Sequence, residues 1–169
     1  MSDTLLSKVS VMLSRPENAN SVEQRNAGWQ STLDLVLAEF KCPVGTIHQL
    51  DGSSGLLQLL VRRGIPDAIL DRVNRIPIGK GMAGLAAERR ECVEVCNLQT
   101  DTSGDAKPGA KMTGMEGSIA VPMLVNDRVV GVLGVAKPTA YTFTDGERRE
   151  LLAIAAEIGR AFDNAPRAT

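Results

Sequence analysis

This 169-residue chain is short of the residue types that most often carry chemistry. It has one histidine, His48, which excludes the usual His-rich zinc sites. Of its three cysteines, Cys92 and Cys96 are four apart with no partner pair, which is not metal-ligand spacing. An odd cysteine count without framework spacing speaks against secretion and for a reducing, cytoplasmic setting. The formal net charge is −1 and Lys and Arg are scattered, so the electrostatic footprint of a nucleic-acid binder is missing. No apolar run approaches the roughly 20 residues that cross a bilayer, and the N-terminus lacks a signal-peptide pattern. Internal repeats and low-complexity stretches are absent as well. What remains is ordinary for one soluble domain with a real core: 43% hydrophobic and 23% charged residues. Neither a membrane nor a nucleic-acid partner is expected, and no metal or cofactor.

The hydrophobic pattern then orders the chain. Residues 3–14 place Leu5, Val9 and Met12 on one helical stripe, which must bury itself against something. Pro16 and polar neighbours break it. Ser21-Val22-Glu23-Gln24 has the form of a capping box opening a helix to about Phe40. Two runs, 44–50 and 56–63, flank Asp-Gly-Ser-Ser-Gly, a turn that makes them a hairpin. A loop and short helix follow, then a very short strand at Ile76-Pro77-Ile78, a helix with a glycine-rich start, and a short strand around residues 92–96. Residues 97–117 have almost no periodicity; a loop this long is a lid or binding loop, or is disordered. Runs 118–125 and 128–137 are separated only by Asn126-Asp127, the mark of a tight hairpin. Both are apolar at odd and even positions, so this part of the sheet is covered on both faces. Thr144-Asp145-Gly146-Glu147 is a second capping box, opening a helix whose stripe is Leu151, Ala155, Ile158 and Phe162.

Gly79-x-Gly81-x-x-Gly84 matches the dinucleotide-binding pattern, but its surroundings do not. That fingerprint needs a buried parallel strand before it and an acidic residue at the end of the next strand. Here the preceding strand is three residues long, Asp101 and Asp105 fall in the loop, and the flanking hairpins are antiparallel. The plainer reading is that the glycines allow a sharp turn and close packing of the following helix. Gly79-Lys80-Gly81 also lacks the Gly-Lys-Ser/Thr ending of a Walker phosphate loop.

Taken in order, these pieces resemble a GAF domain over roughly residues 25 to 162. The resemblance rests on the hydrophobic-Gly-x-Gly segment opening a helix that ends in a basic turn, and on Gly114 to Ser118 before Val121-Pro122-Met123. It rests also on Gly131-Val132-Leu133-Gly134 and on Phe143-Thr144-Asp145-Gly146-Glu147 leading into the last helix. It implies an α+β, GAF/PAS-like fold: an antiparallel central sheet, the N- and C-terminal helices on one face, and a lid-covered pocket on the other. The expected division is an N-terminal amphipathic helix and linker at 1–20, the GAF domain at 21–163 and a frayed tail at 164–169, with no separate output domain.

The resemblance implies a small-molecule sensory or regulatory module acting as a homodimer, with a separate signalling protein as a possible partner. The implied pocket lining is Gly81, Met82, Leu85, Cys96, Asp101, Met115, Ser118 and Ala120. The implied dimer interface is Leu5, Val9, Met12, Leu151, Ala155, Ile158 and Phe162. Sharper ligand readings lack their residues. The Asn-Lys-Phe-Asp-Glu signature of cyclic-nucleotide binders is missing, and the lid has no cysteine for bilin attachment. Aromatic residues total only 3%, and the only histidine to serve a haem as axial ligand, His48, sits mid-strand, where a packed or surface side chain is expected. Some free-standing GAF proteins resemble free methionine-(R)-sulfoxide reductase, which is the alternative reading. Against it, Ala83 stands where that enzyme carries a cysteine. Cys92 and Cys96 on a strand would lie about 13 Å apart, beyond the reach of a disulfide. If a thiol does act, Cys96 is the nucleophile. A structural dimerisation module without a ligand is the third reading.

Overall fold

A computed structural model describes residues 4–13 and 22–164. Ser21 of the first capping box, the linker before it and the tail beyond Asn164 lie outside the described residues. Helices α1 (Leu5–Leu13) and α2 (Val22–Phe40) precede the hairpin β1 (Val44–Asp51) and β2 (Leu56–Arg63). Short α3 (Leu70–Val73) and β3 (Arg75–Pro77) lead into α4 (Gly81–Arg89) and β4 (Val93–Val95). One-turn α5 (Pro108–Lys111) sits within the long loop, and β5 (Gly117–Val125), β6 (Arg128–Lys137) and α6 (Asp145–Asn164) finish the chain. The six strands form one sheet in the order β3-β2-β1-β6-β5-β4. Every neighbouring pair is antiparallel. No crossover of the dinucleotide-binding kind exists in it.

Local chemistry sets the turns and caps. Asn126 and Asp127 both take positive φ, 51° and 63°, as the twist-matched two-residue hairpin turn requires. In the β1–β2 turn the Asp51 carboxylate accepts bonds from the Ser53 and Ser54 hydroxyls at 2.8 and 2.7 Å. At the start of α6 the Glu147 N–H donates to Thr144 Oγ1 (3.1 Å), and the Thr144 N–H donates to Glu147 Oε1 (2.9 Å). That is the reciprocal capping box the sequence predicts.

Alternation along the strands divides the interior into two layers. Ile47, Ile119, Val121, Met123, Leu133 and Val135 point to the face covered by α1, α2 and α6. The opposite face carries Leu57, Ala120 and Val132 beneath α4 and the long loop, with Met82, Ala86 and Leu98 packed on them. Each aliphatic side chain buried in this way contributes about 1.5–3 kcal/mol. Helix α6 lies close to the sheet at Gly159, where a Cβ would come within 2.7 Å of Val130 Cγ2.

This packing corrects the reading of the apolar stripes. Leu5, Val9, Leu151, Ala155, Ile158 and Phe162 are buried in the chain's own core, with Met12 half-buried. The two stripes are covered by each other, α2 and the sheet, so these six buried side chains are not a surface for a second copy. A helical stripe demands burial; it does not specify the covering partner. Among the described residues, no helix is long and apolar enough to cross a membrane.

Candidate functional site

The three glycines have a geometric task. Gly79 (φ +88°) and Gly81 (φ +63°) occupy backbone conformations that L side chains rarely adopt. At Gly84 a Cβ would lie 2.4 Å from the Pro77 carbonyl oxygen, so only glycine lets α4 sit this close to the end of β3. The Gly79 N–H donates to the Gly84 carbonyl at 2.8 Å and locks the corner. The corner presents the first turn of α4 to a cavity of about 380 Å³ between the sheet and the long loop.

Small residues on one face of the sheet create the hollow. The register aligns Val44, Ala136 and Ser118 in one row and Thr46, Gly134 and Ala120 in the next. All six line the cavity floor. On the other face the same strands carry Ile119, Val121, Leu133 and Val135, so the alternation is small towards the cavity and large towards the helices. Ile65, Ile69 and Val73 form one wall, and the start of α4 with Pro77 forms another. The roof is Leu98 with residues 107–110 and Thr113.

Hydrogen bonds within the loop hold the roof. Leu98 N–H donates to the Glu116 carbonyl at 2.7 Å and closes the loop base. Gln99 Nε2 donates to the Lys111 and Met115 carbonyls at 2.9 and 2.7 Å. Asp105 pairs with Arg89 of α4 at 3.5 Å. The long loop, expected to lack periodicity, therefore contains one helical turn and is tied back onto itself and onto α4.

The polar groups around this apolar space are few. Arg72, Lys80 and Lys107 line it, and among the described residues no carboxylate does. His48 lines it from β1 and is 2% exposed. Its Nε2 donates to the Val73 carbonyl at 2.7 Å, which leaves Nδ1 as the acceptor of a neutral ring. Nδ1 is buried and has no partner among the described residues. Burial holds the His48 pKa below its ordinary value, and the bond to Val73 opposes that only in part.

Of the lining expected from the sequence, Gly81, Met82, Ser118 and Ala120 meet at the cavity. Leu85 and Met115 pack instead in the adjacent apolar cluster. The Asp101 carboxylate accepts bonds from Ser103 and shapes the loop, and Cys96 is exposed just beyond β4. No cysteine belongs to the cavity wall. Cys42 is buried and its thiol is pushed up to about 11, chiefly by desolvation. Desolvation raises the half-buried Cys92 as well. Sequence reasoning missed His48, Arg72, Lys80 and Lys107 as lining. It also missed Gly134 and Ala136, which the alternation of small and large residues along β5 and β6 could have indicated.

An antiparallel sheet with helices on one face and a loop-roofed cavity on the other is an α+β, GAF-like fold. The sequence profile of the GAF domain matches residues 29–163, and the chain belongs to the GAF domain family. A search among curated proteins gives no significant match. Among solved structures, the GAF domain of an Acinetobacter phosphoenolpyruvate-protein phosphotransferase is 20% identical with a TM-score of 0.75. That alignment covers 98% of this chain and 96% of that one. Free methionine-R-sulfoxide reductase from Neisseria meningitidis is 19% identical, with a TM-score of 0.73 over 94% of this chain and 86% of that one. A candidate GAF sensor protein from Burkholderia vietnamiensis is 24% identical, with a TM-score of 0.68 over 94% and 88%. At these identities the likeness extends to the fold alone.

Proposed function

We propose that this chain is a regulatory GAF module of the cytoplasm that binds a small metabolite in the cavity beneath residues 97–117. The observation that carries the reading is the cavity itself. Its volume of about 380 Å³ falls at the lower end of the range usual for small-molecule sites. Its wall is apolar with a few convergent polar groups, the pattern such sites share. Ligand contact with the roof residues would bias the loop between states, a population shift rather than catalysis. Self-association through the helical layer belongs to the same reading. It would use the outer side of α1, where Val11 is 58% exposed, in place of the buried stripes.

The thiol-reductase alternative has the solved neighbour from Neisseria in its favour and the cysteine positions against it. A thiolate must reach the bound substrate, and Cys42, Cys92 and Cys96 are all outside the cavity wall.

Native mass spectrometry of the freshly purified chain, beside a denaturing spectrum, tests the proposal. A small mass retained on the folded chain and released on denaturation supports it. Turnover of free methionine sulfoxide with a thiol donor, lost in Cys96→Ser, would replace the regulatory reading with the enzymatic one.

A further inference from the structure

Among the described residues, the charged side chains that line the cavity are all cations. Lys107 and Arg72 cross its rim over glycines. A Cβ on Gly81 would lie 3.4 Å from Lys107 Cγ, and one on Gly109 would lie 3.4 Å from Arg72 Cδ. Lys80 stands at the N-cap of α4 and provides no side-chain cap, so the first-turn N–H groups there have no side-chain acceptor at that position. Among the described residues neither Lys80 nor Lys107 is paired with a carboxylate. Among the described residues, Arg72 Nη1 reaches only the Met112 thioether, at 3.9 Å. Glu88, whose carboxylate covers Gly79, is outside the lining, and Asp105 is engaged by Arg89. Deeper in the same cavity, His48 adds no further charge: its ring is neutral, with Nε2 bonded to the Val73 carbonyl and Nδ1 buried.

From this arrangement, and resting on the cavity reading above, we infer that the ligand is a small organic acid. Its carboxylate lies at the first turn of α4 beneath Lys107, and its body is apolar. Three cations and an uncapped helix N-terminus stabilise negative charge together, through Coulomb attraction and oriented backbone dipoles. An apolar floor of Ala120, Gly134 and Ala136 receives the body. The same wall selects against free α-amino acids. Their ammonium would be placed among three cations with no carboxylate to pair it, an uncompensated like-charge contact. Methionine sulfoxide is in the disfavoured class.

Isothermal titration of the full chain with matched probes tests this. The probes are phenylacetate, hydrocinnamate and p-hydroxyphenylacetate, each beside its primary amide, with phenethylamine as the cation. The inference predicts each acid to bind about tenfold or more tighter than its amide, and phenethylamine to bind weakest. The Lys107→Gln variant should lose most of that acid preference, read as the ratio of acid to amide affinity. The exposed position of Lys107 leaves the fold intact, which a circular-dichroism melt verifies. Equal binding of acids and amides, or tighter binding of the amine, overturns the inference and leaves the cavity reading standing. An acid preference that persists when Arg72, Lys80 and Lys107 are all changed to Gln overturns it too. Silence from every probe, charged and neutral alike, contradicts the inference and counts against the cavity reading itself.

Discussion

His48 Nε2 lies 2.7 Å from the carbonyl oxygen of Val73, and this bond joins the middle of β1 to the end of α3. It fixes the neutral tautomer and turns a buried strand residue into part of the cavity wall. Protonation would put a second N–H on Nδ1, which has no acceptor among the described residues.

A pH dependence follows. The folded-state pKa of His48 is held below its ordinary 6.5 by desolvation, so the unfolded chain takes up the proton first as pH falls. The stability it contributes is complete above about pH 6.5 and declines as pH drops below that value, by at most about 1.4 kcal/mol per pH unit. The carboxylates held low by their partners, Asp34, Asp51, Asp145 and Glu147, titrate in a lower range. Urea unfolding at pH 7.5 and 5.5 should show the loss, and His48→Phe should flatten it. Because the chain has one histidine, an unchanged slope in that variant would remove His48 from the account.

Two glycine-to-alanine changes should move stability in opposite directions. In α4, Gly84→Ala puts a methyl 2.4 Å from backbone at Pro77, an overlap that costs about 1–3 kcal/mol and outweighs the helix-propensity gain of about 1 kcal/mol. In α2, Gly28 has nothing within 4 Å of an added Cβ, so Gly28→Ala should stabilise by up to about 1 kcal/mol. Denaturant midpoints of the two variants give the signs directly.

The cysteines should separate by exposure. An aromatic disulfide reagent should label Cys96 promptly in the native protein, Cys92 slowly and Cys42 only on unfolding, since burial raises the latter two thiols and covers them. Labelling of Cys96 should leave ligand-induced stabilisation unchanged, because it is not in the cavity wall. Mass mapping of partly labelled protein reads the order.

Much of the frame was legible because the signals were local. Asn126-Asp127 dictates its own hairpin, and Thr144 with Glu147 dictates its own helix start. The strand runs 56–63 and 128–137 read from the sequence have the bounds seen in the structure. The glycine corner was legible as geometry rather than as a nucleotide site, since antiparallel hairpins flanked it. The covering partner of an amphipathic stripe was not legible. Leu151 and Ile158 need burial, and the sheet and α1 satisfy that need before any second chain does. The rim was equally hidden: Arg72, Lys80 and Lys107 lie on three separate segments, and only tertiary folding aligns them. His48 sits in an ordinary strand run, and nothing local signals that one ring nitrogen will be buried without a partner.

The most direct test of the account is the thermal response of the wild type and Ala120→Leu to a stabilising ligand. Ala120 is on the cavity floor, and the leucine side chain would occupy the space a ligand needs. A ligand present at a hundred times its dissociation constant adds about 2.7 kcal/mol, or roughly 5–10 °C for a domain of this size. The account predicts that shift in the wild type and its loss in Ala120→Leu, with the two apo proteins unfolding within a few degrees of each other. Equal stabilisation of both by the same ligand would contradict it, because the site of action would then be elsewhere on the molecule.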